Sequence, residues 1–121
     1  MATFKVQGTR LNIGDEDACM DWEGPVLHAC KHPCYVRVAE TQRAKDDPEY
    51  LAIEVGRDLF LNMIDPPLPL FQLATFTRAL DWMAEHYEDE QEILVHCNQG
   101  ISRAPSLALL FLAKRLRPAL I

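Results

Sequence analysis

The chain has 121 residues, 49% of them hydrophobic and 25% charged, a balance that suits a single globular domain spanning 1–121 and argues against a disordered or repeat protein. Its net charge of -6 argues against general nucleic-acid binding, which needs a positive surface. No apolar leader or membrane-length apolar stretch is present, so we expect a cytoplasmic protein without membrane contact. The four cysteines are then expected to be reduced thiols.

Short β-like runs open the chain. The segments 4–6 and 11–13 lie on either side of Gly8, and this arrangement predicts a hairpin. The run 26–30 is short and apolar enough for a buried strand. We therefore expect the first third of the chain to contribute strands to a sheet.

A helix start signal follows a polar stretch. Asp47 supplies an N-cap and Pro48 a first-turn proline ahead of 50–55, and Gly56 is suited to a helix end. This pattern predicts a short helix. A strand is the alternative interpretation, because 50–55 contains two β-branched residues.

An acidic residue is placed at a strand end in the middle of the chain. The run 59–64 predicts a strand that delivers Asp65 to the proline-rich loop 66–69, which cannot continue a sheet ladder. Apolar residues then recur at helical spacing through 70–87, which predicts an amphipathic helix; they are Leu73, Phe76, Leu80, Met83 and Tyr87.

A strand, a loop and a helix close the chain. The apolar run 93–96 predicts a strand that ends at Cys97, and the segment after Arg103 is apolar nearly all round, which predicts a buried helix. Strands alternating with helices indicate an α/β fold with a central, mostly parallel twisted sheet flanked by helices. Ligands bind such folds at the carboxyl ends of strands, where Asp65 and Cys97 are both predicted.

The loop between this strand and helix has the composition of an anion site. Backbone N–H groups converge where a loop meets a helix N-terminus, and Gly100 permits close approach of a ligand to the backbone. Arg103 offers a planar fork for two phosphate oxygens, and its charge favours a thiolate at Cys97. The predicted phosphate-binding positions are Asn98, Gln99, Gly100, Ile101, Ser102 and Arg103.

The segment 95–103, Val-His-Cys-Asn-Gln-Gly-Ile-Ser-Arg, resembles the H-C-x-x-G-x-x-R signature of the cysteine-dependent protein-tyrosine phosphatases, in their dual-specificity branch. The resemblance implies that fold, a Cys97 nucleophile that forms a cysteinyl phosphate, and no cofactor or metal. It implies that His96 orients the loop without touching substrate. It also implies a general acid about thirty residues upstream, which Asp65 fits better than Asp58.

Two departures from the family pattern stand out. Related domains continue with further helices, whereas this chain ends at Ile121, so we expect either a minimal fold or a C-terminally shortened one, whose apolar edge would favour self-association. The residue after Arg103 is commonly Ser or Thr, and here it is Ala104. We therefore expect slow hydrolysis of the phosphoenzyme, unless Ser102 or Ser106 supplies the missing hydroxyl.

Three functions share this loop chemistry. The first is hydrolysis of phosphotyrosine, and of phosphoserine or phosphothreonine, in protein or peptide substrates. The second changes the substrate to a phosphoinositide, a nucleotide or an RNA 5'-phosphate, since fold and loop do not determine it. The third is a phosphopeptide-binding module without turnover, against which Cys97, Arg103 and Asp65 count.

A second group of candidate ligands alternates along 28–34: His28, Cys30, His32 and Cys34. Such residues bind zinc in many proteins, but this spacing matches no common site. On an extended strand the four would spread over about 20 Å, too far for one ion. We therefore expect no metal there and structural roles for these residues, with a thiol that protects oxidised Cys97 as the alternative.

Overall fold

A computed structural model of the chain describes residues 3–40, 44–63, 73–97 and 103–116. Its strands are β1 (Thr3–Lys5), β2 (Leu11–Gly14), β3 (Val26–His28), β4 (Ala52–Val55), β5 (Asp58–Leu61) and β6 (Ile93–His96). Its helices are α1 (Val36–Ala39), α2 (Leu73–Glu88) and α3 (Arg103–Leu116). The strands form one sheet in the spatial order β1-β2-β6-β3-β5-β4, which confirms the α/β class.

The sheet is mixed. Strands β2, β6, β3 and β5 run parallel to one another, while β1 and β4 pair antiparallel at the two edges. The prediction of a mostly parallel sheet is therefore wrong at both edges. The physical reason is the length of the connections: five residues join β1 to β2 and two join β4 to β5, and links this short connect only antiparallel strands. The predicted opening hairpin is confirmed.

The segment 50–55 contains a strand, β4, and the prediction of a short helix there is wrong. β4 pairs with β5 across a two-residue turn in which Gly56 has a φ of 59°. Ile53 is buried in a small cluster with Tyr35 and Ala39. The β-branched side chain thus packs against distant residues, and this contact outweighs the local helix-start signal.

The two long helices cover the sheet with one face each. α2 confirms the predicted amphipathic helix, although Leu73, counted in its apolar stripe, is 80% exposed. α3 buries Leu107, Ala108 and Phe111 but leaves Leu109 69% exposed. The prediction that α3 is buried all round is therefore wrong, because the helix lies in an outer layer with the sheet and α2 on one side only.

The two faces of the sheet are covered unequally. On the major face, α2 and α3 enclose a core to which the central strands contribute Leu11, Ile13, Leu27, Leu59, Leu61, Ile93 and Val95. The minor face is covered in the described part of the chain by the 3-10 turn Ala18–Met20, the turn Lys31–Tyr35 and α1. Its two apolar clusters have three buried members each. Burial of apolar surface therefore stabilises the minor face far less than the major one.

Several predictions fall outside the described residues. They concern Asp65, the loop 98–102 and the C-terminal edge at 117–121. Over the ranges that are described, none of the helices combines the length and apolar character that a membrane span requires.

Candidate active site

Cys97 lies at the carboxyl end of β6, where the sequence predicts it. Its side chain is 2% exposed and packs into the major-face core. Its backbone N–H donates to the carbonyl oxygen of Gly14 over 3.3 Å. Because β6 lies between the parallel strands β2 and β3, the strand end that carries Cys97 is held on both sides.

Arg103 is the first residue of α3 and is 5% exposed. Its Nη1 donates to the carbonyl oxygen of Met63 over 2.8 Å. A buried guanidinium needs hydrogen-bond acceptors or anions around it, since burying a charge without them costs several kcal/mol, on the order of the desolvation penalty of an ion. The positive end of the α3 dipole adds to the same field. The start of α3 is therefore electropositive.

The other predicted site residues lie outside the described residues: Asp65, Asn98, Gln99, Gly100, Ile101 and Ser102. The chain on either side of them is described. Asp65 follows Met63 by two positions, and 98–102 connect Cys97 to Arg103. The hydrogen bond from Arg103 to Met63 therefore connects a residue near the predicted acid with a residue next to the predicted phosphate-binding positions.

Asp58, the second candidate acid, has a different partner. Its Oδ2 lies 3.1 Å from Nε2 of His28 on the minor face of the sheet. Cys97 packs into the major-face core instead. This position disfavours Asp58 as a proton donor to a group attacked by Cys97.

His96 is fully buried behind the candidate site. Its Nδ1 lies 3.1 Å from the carbonyl oxygen of Asp15, and its Nε2 lies 2.8 Å from Nδ1 of His28. The imidazole of His28 is stacked on Phe60, with 4.0 Å between ring centroids. His96 therefore connects the strand before Cys97 to a polar network on the minor face.

Four ligand-type side chains meet in this network. Their ligand atoms all lie within 4.8 Å of one another, and three of the four residues are buried. This set could hold a metal ion. We call it the Cys2His2 cluster, and its members are Cys19, His28, Cys34 and His96.

The path of the chain through 28–34 corrects the assumption behind the expectation of no metal there. That expectation assumed one extended strand, but β3 ends at His28 and the chain turns through Lys31–Tyr35, which brings Cys34 back to the sheet. Cys34 Sγ lies 3.8 Å from Nε2 of His96. Neither Cys19 nor the position of His96 in the cluster could be predicted from the sequence, because no local spacing links either residue to His28.

Charges concentrate within the cluster. Burial opposes protonation of His28, but the hydrogen bonds with Asp58 and Cys19 raise the pKa of that imidazole above its usual value. The hydrogen bond with Cys34 and those with the two imidazoles lower the pKa of the Cys19 thiol. That thiolate in turn raises the pKa of Cys34. The cluster therefore favours a thiolate beside a protonated imidazole or another cation.

Comparison of the chain with protein-family models, with curated proteins and with solved structures found no significant match. The α/β class therefore comes from the structure, and the chemistry of the site is inferred from its residues.

Proposed function

We propose that this chain hydrolyses phosphomonoesters through a cysteinyl phosphate on Cys97, with phosphotyrosine, and also phosphoserine and phosphothreonine, in proteins as substrates. The observation that carries the proposal is the placement of Cys97 and Arg103. Cys97 follows the carboxyl end of a central parallel strand, Arg103 begins the next helix, and the segment 98–102 connects them in the chain. Such a junction binds oxyanions in many α/β proteins.

In the first step, the Cys97 thiolate attacks phosphorus, a sulfur–phosphorus bond forms and the bond to the leaving oxygen breaks. The leaving oxygen takes a proton from the Asp65 carboxyl group. Arg103 hydrogen-bonds two equatorial oxygens, where charge spreads during transfer. The buried position of Arg103 supports this role, since a low dielectric strengthens the attraction.

In the second step, water attacks phosphorus and the sulfur–phosphorus bond breaks. The products are inorganic phosphate and the Cys97 thiolate, and the proton lost by water passes to the Asp65 carboxylate. The enzyme returns to its starting state without a redox change. No step needs a metal or an organic cofactor.

The test is a pre-steady-state assay with an aryl phosphate, followed by mass spectrometry of the quenched protein. We expect release of the aryl alcohol, and a phosphoryl mass on the peptide containing Cys97. Cys97→Ser should abolish turnover, while Cys30→Ser, a matched change of another buried thiol, should not. Turnover that survives in Cys97→Ser, or phosphate affinity without any turnover in the parent, would contradict the proposal.

The substrate class is decided by a second comparison. Phosphotyrosine and phosphoserine peptides, an inositol phosphate, a nucleotide and a 5'-phosphorylated RNA are compared at equal concentration. The net charge of -6 disfavours polyanionic substrates. We therefore expect the highest kcat/KM on the phosphopeptides, and a higher value on RNA or inositol phosphate would reassign the substrate.

A further inference from the structure

We propose that the Cys2His2 cluster binds one zinc ion, which ties the minor-face turns to the sheet. The site is structural, because its four side-chain ligands fill a tetrahedral shell and leave no position for substrate. It is separate from the proposed phosphatase chemistry, which uses Cys97 on the other face. Two thiols and two imidazoles suit zinc, whereas magnesium and calcium prefer oxygen ligands.

The distances fit one ion. Zinc bonds of about 2.0–2.1 Å to nitrogen and about 2.3 Å to sulfur give tetrahedral ligand separations of roughly 3.3–3.8 Å. Here the two imidazole nitrogens are 2.8 Å apart, Cys34 Sγ is 3.8 Å from His96 Nε2, and all four ligand atoms lie within 4.8 Å of one another. The two individual distances thus differ from the tetrahedral separations by about 0.5 Å or less, and the 4.8 Å limit for the whole set exceeds those separations by roughly 1 to 1.5 Å.

The outer partners of both imidazoles set their tautomers. His28 Nε2 faces a carboxylate oxygen of Asp58, and His96 Nδ1 faces the carbonyl oxygen of Asp15. Both oxygens only accept hydrogen bonds, so these two nitrogens carry hydrogen. Metal-bound histidines are held in this way, with the distal N–H bonded to a carboxylate or a backbone carbonyl.

The two remaining imidazole nitrogens then point lone pairs at each other. His28 Nδ1 and His96 Nε2 are 2.8 Å apart, a contact that repels in neutral rings and attracts when a cation lies between them. A proton would satisfy the two nitrogens alone. A zinc ion also uses the two sulfurs, which lie in the same space.

The minor face needs such a link. The 3-10 turn that carries Cys19 is three residues long, and the turn that carries Cys34 is five. Each packs over an apolar cluster with three buried members. Elements this short gain little from burial, and small layers of this kind are commonly stabilised by a metal or a disulfide.

The first experiment measures metal content. The full chain is expressed with zinc in the medium and purified without a chelator or a residual tag, and zinc is measured by mass spectrometry. We expect about one zinc ion per chain in the parent, in Cys30→Ser and in Cys97→Ser, and a loss of about tenfold or more in Cys19→Ser and Cys34→Ser. A folded parent without zinc, or full occupancy in Cys19→Ser, would overturn the proposal.

A second experiment tests the ligands in the parent protein and therefore does not require the cysteine variants to fold. Cobalt replaces zinc in the parent, and the spectrum should show the visible bands of tetrahedral cobalt and a thiolate charge-transfer band. His28→Cys keeps four ligands and should retain these bands with an added thiolate contribution, whereas His28→Ala should lose them. Octahedral cobalt bands without charge transfer would show that the thiols are not ligands.

Asp58→Asn tests the outer partner. Its chelator competition curve should show about 10- to 100-fold weaker zinc binding than the parent. Unchanged affinity would show that Asp58 does not position His28. Zinc binding and phosphatase activity can be tested separately, because Cys97→Ser should retain zinc and lose turnover. A parent protein with zinc but without turnover would refute the phosphatase proposal alone.

Discussion

His96 and Cys97 are neighbours in the chain, yet their side chains enter different faces of the sheet. His96 lies in the Cys2His2 cluster of the minor face, and Cys97 packs into the major-face core beneath α3. The alternation of side chains along a strand produces this split. Interactions of His96 with the minor-face turns therefore restrain the strand end that presents Cys97.

Arg103→Lys should lower both phosphate affinity and rate. A lysine ammonium cannot make two parallel hydrogen bonds to a phosphoryl group, and a loss of about 2 to 4 kcal/mol of transition-state stabilisation corresponds to roughly 30- to 1,000-fold in kcat/KM. Steady-state kinetics with an aryl phosphate measure this effect. Arg78→Lys, at a solvent-exposed ion pair with Glu54, serves as the matched control. Equal losses in both variants would contradict the role of Arg103.

Asp65→Asn should slow turnover most for substrates with poor leaving groups. It should also flatten the basic limb of the pH profile, because a general acid must be protonated to act. Profiles of kcat/KM on aryl phosphates of graded leaving-group pKa test both effects. Asp81→Asn, at an exposed position on α2, should behave like the parent. Flattening in Asp58→Asn alone would identify Asp58 as the acid.

Ala104→Ser should raise turnover and shrink the pre-steady-state burst. A hydroxyl at this position would stabilise the Cys97 thiolate as it leaves phosphorus, and hydrogen bonds to developing charge contribute about 2 to 4 kcal/mol. Ala104 is fully buried in the major-face core, so a stability cost must be separated from the kinetic effect. Ala108→Ser, buried on the same helix, provides that control. Stopped-flow traces without a burst in the parent would show that the missing hydroxyl does not limit turnover.

Gly24→Ala should destabilise the fold by about 3 kcal/mol, the upper range for a strained backbone position. Gly24 has a φ of 129°, and an added Cβ would lie 3.2 Å from the carbonyl oxygen of Glu92. Gly56 has a φ of 59° with open space around it, so Gly56→Ala should cost only about 1 kcal/mol. Urea unfolding monitored by circular dichroism measures both, and equal costs would contradict the packing argument.

Glu92→Gln should make the free energy of unfolding less dependent on pH in the acid range. The hydrogen bond from Asn12, with a smaller effect of Lys5, lowers the pKa of Glu92. A carboxylate whose pKa is lowered in the folded state stabilises the protein at pH values above its unfolded-state pKa of about 4.3. This stabilisation is lost as the pH falls through the folded-state pKa. Because the carboxylate is 45% exposed, we expect a loss of about 0.2 to 1 kcal/mol at pH 7. If the free energy of unfolding changed equally with pH in the parent and in Glu92→Gln between about pH 3 and 5, this linkage would be contradicted.

The sequence by itself determined the features that depend on near neighbours. The apolar spacing of 70–87 predicts α2, and the apolar run before Cys97 predicts β6, because a helix and a buried strand each impose a period on consecutive residues. The chemistry proposed for 97–103 is likewise local. The proposed nucleophile Cys97 lies within seven residues of Gly100 and Arg103 in one chain segment.

Only the tertiary structure decided the features that depend on distant partners. β4 is a strand because β5 pairs with it and Ile53 packs against Tyr35, although the local signal favours a helix. The Cys2His2 cluster joins residues as far apart as Cys19 and His96, which meet because parallel pairing places β3 and β6 side by side and a turn returns Cys34 to them. Contacts across such sequence separations produce no periodic pattern in the sequence. The position of each cluster residue depends on the strand order and not on its neighbours in the chain.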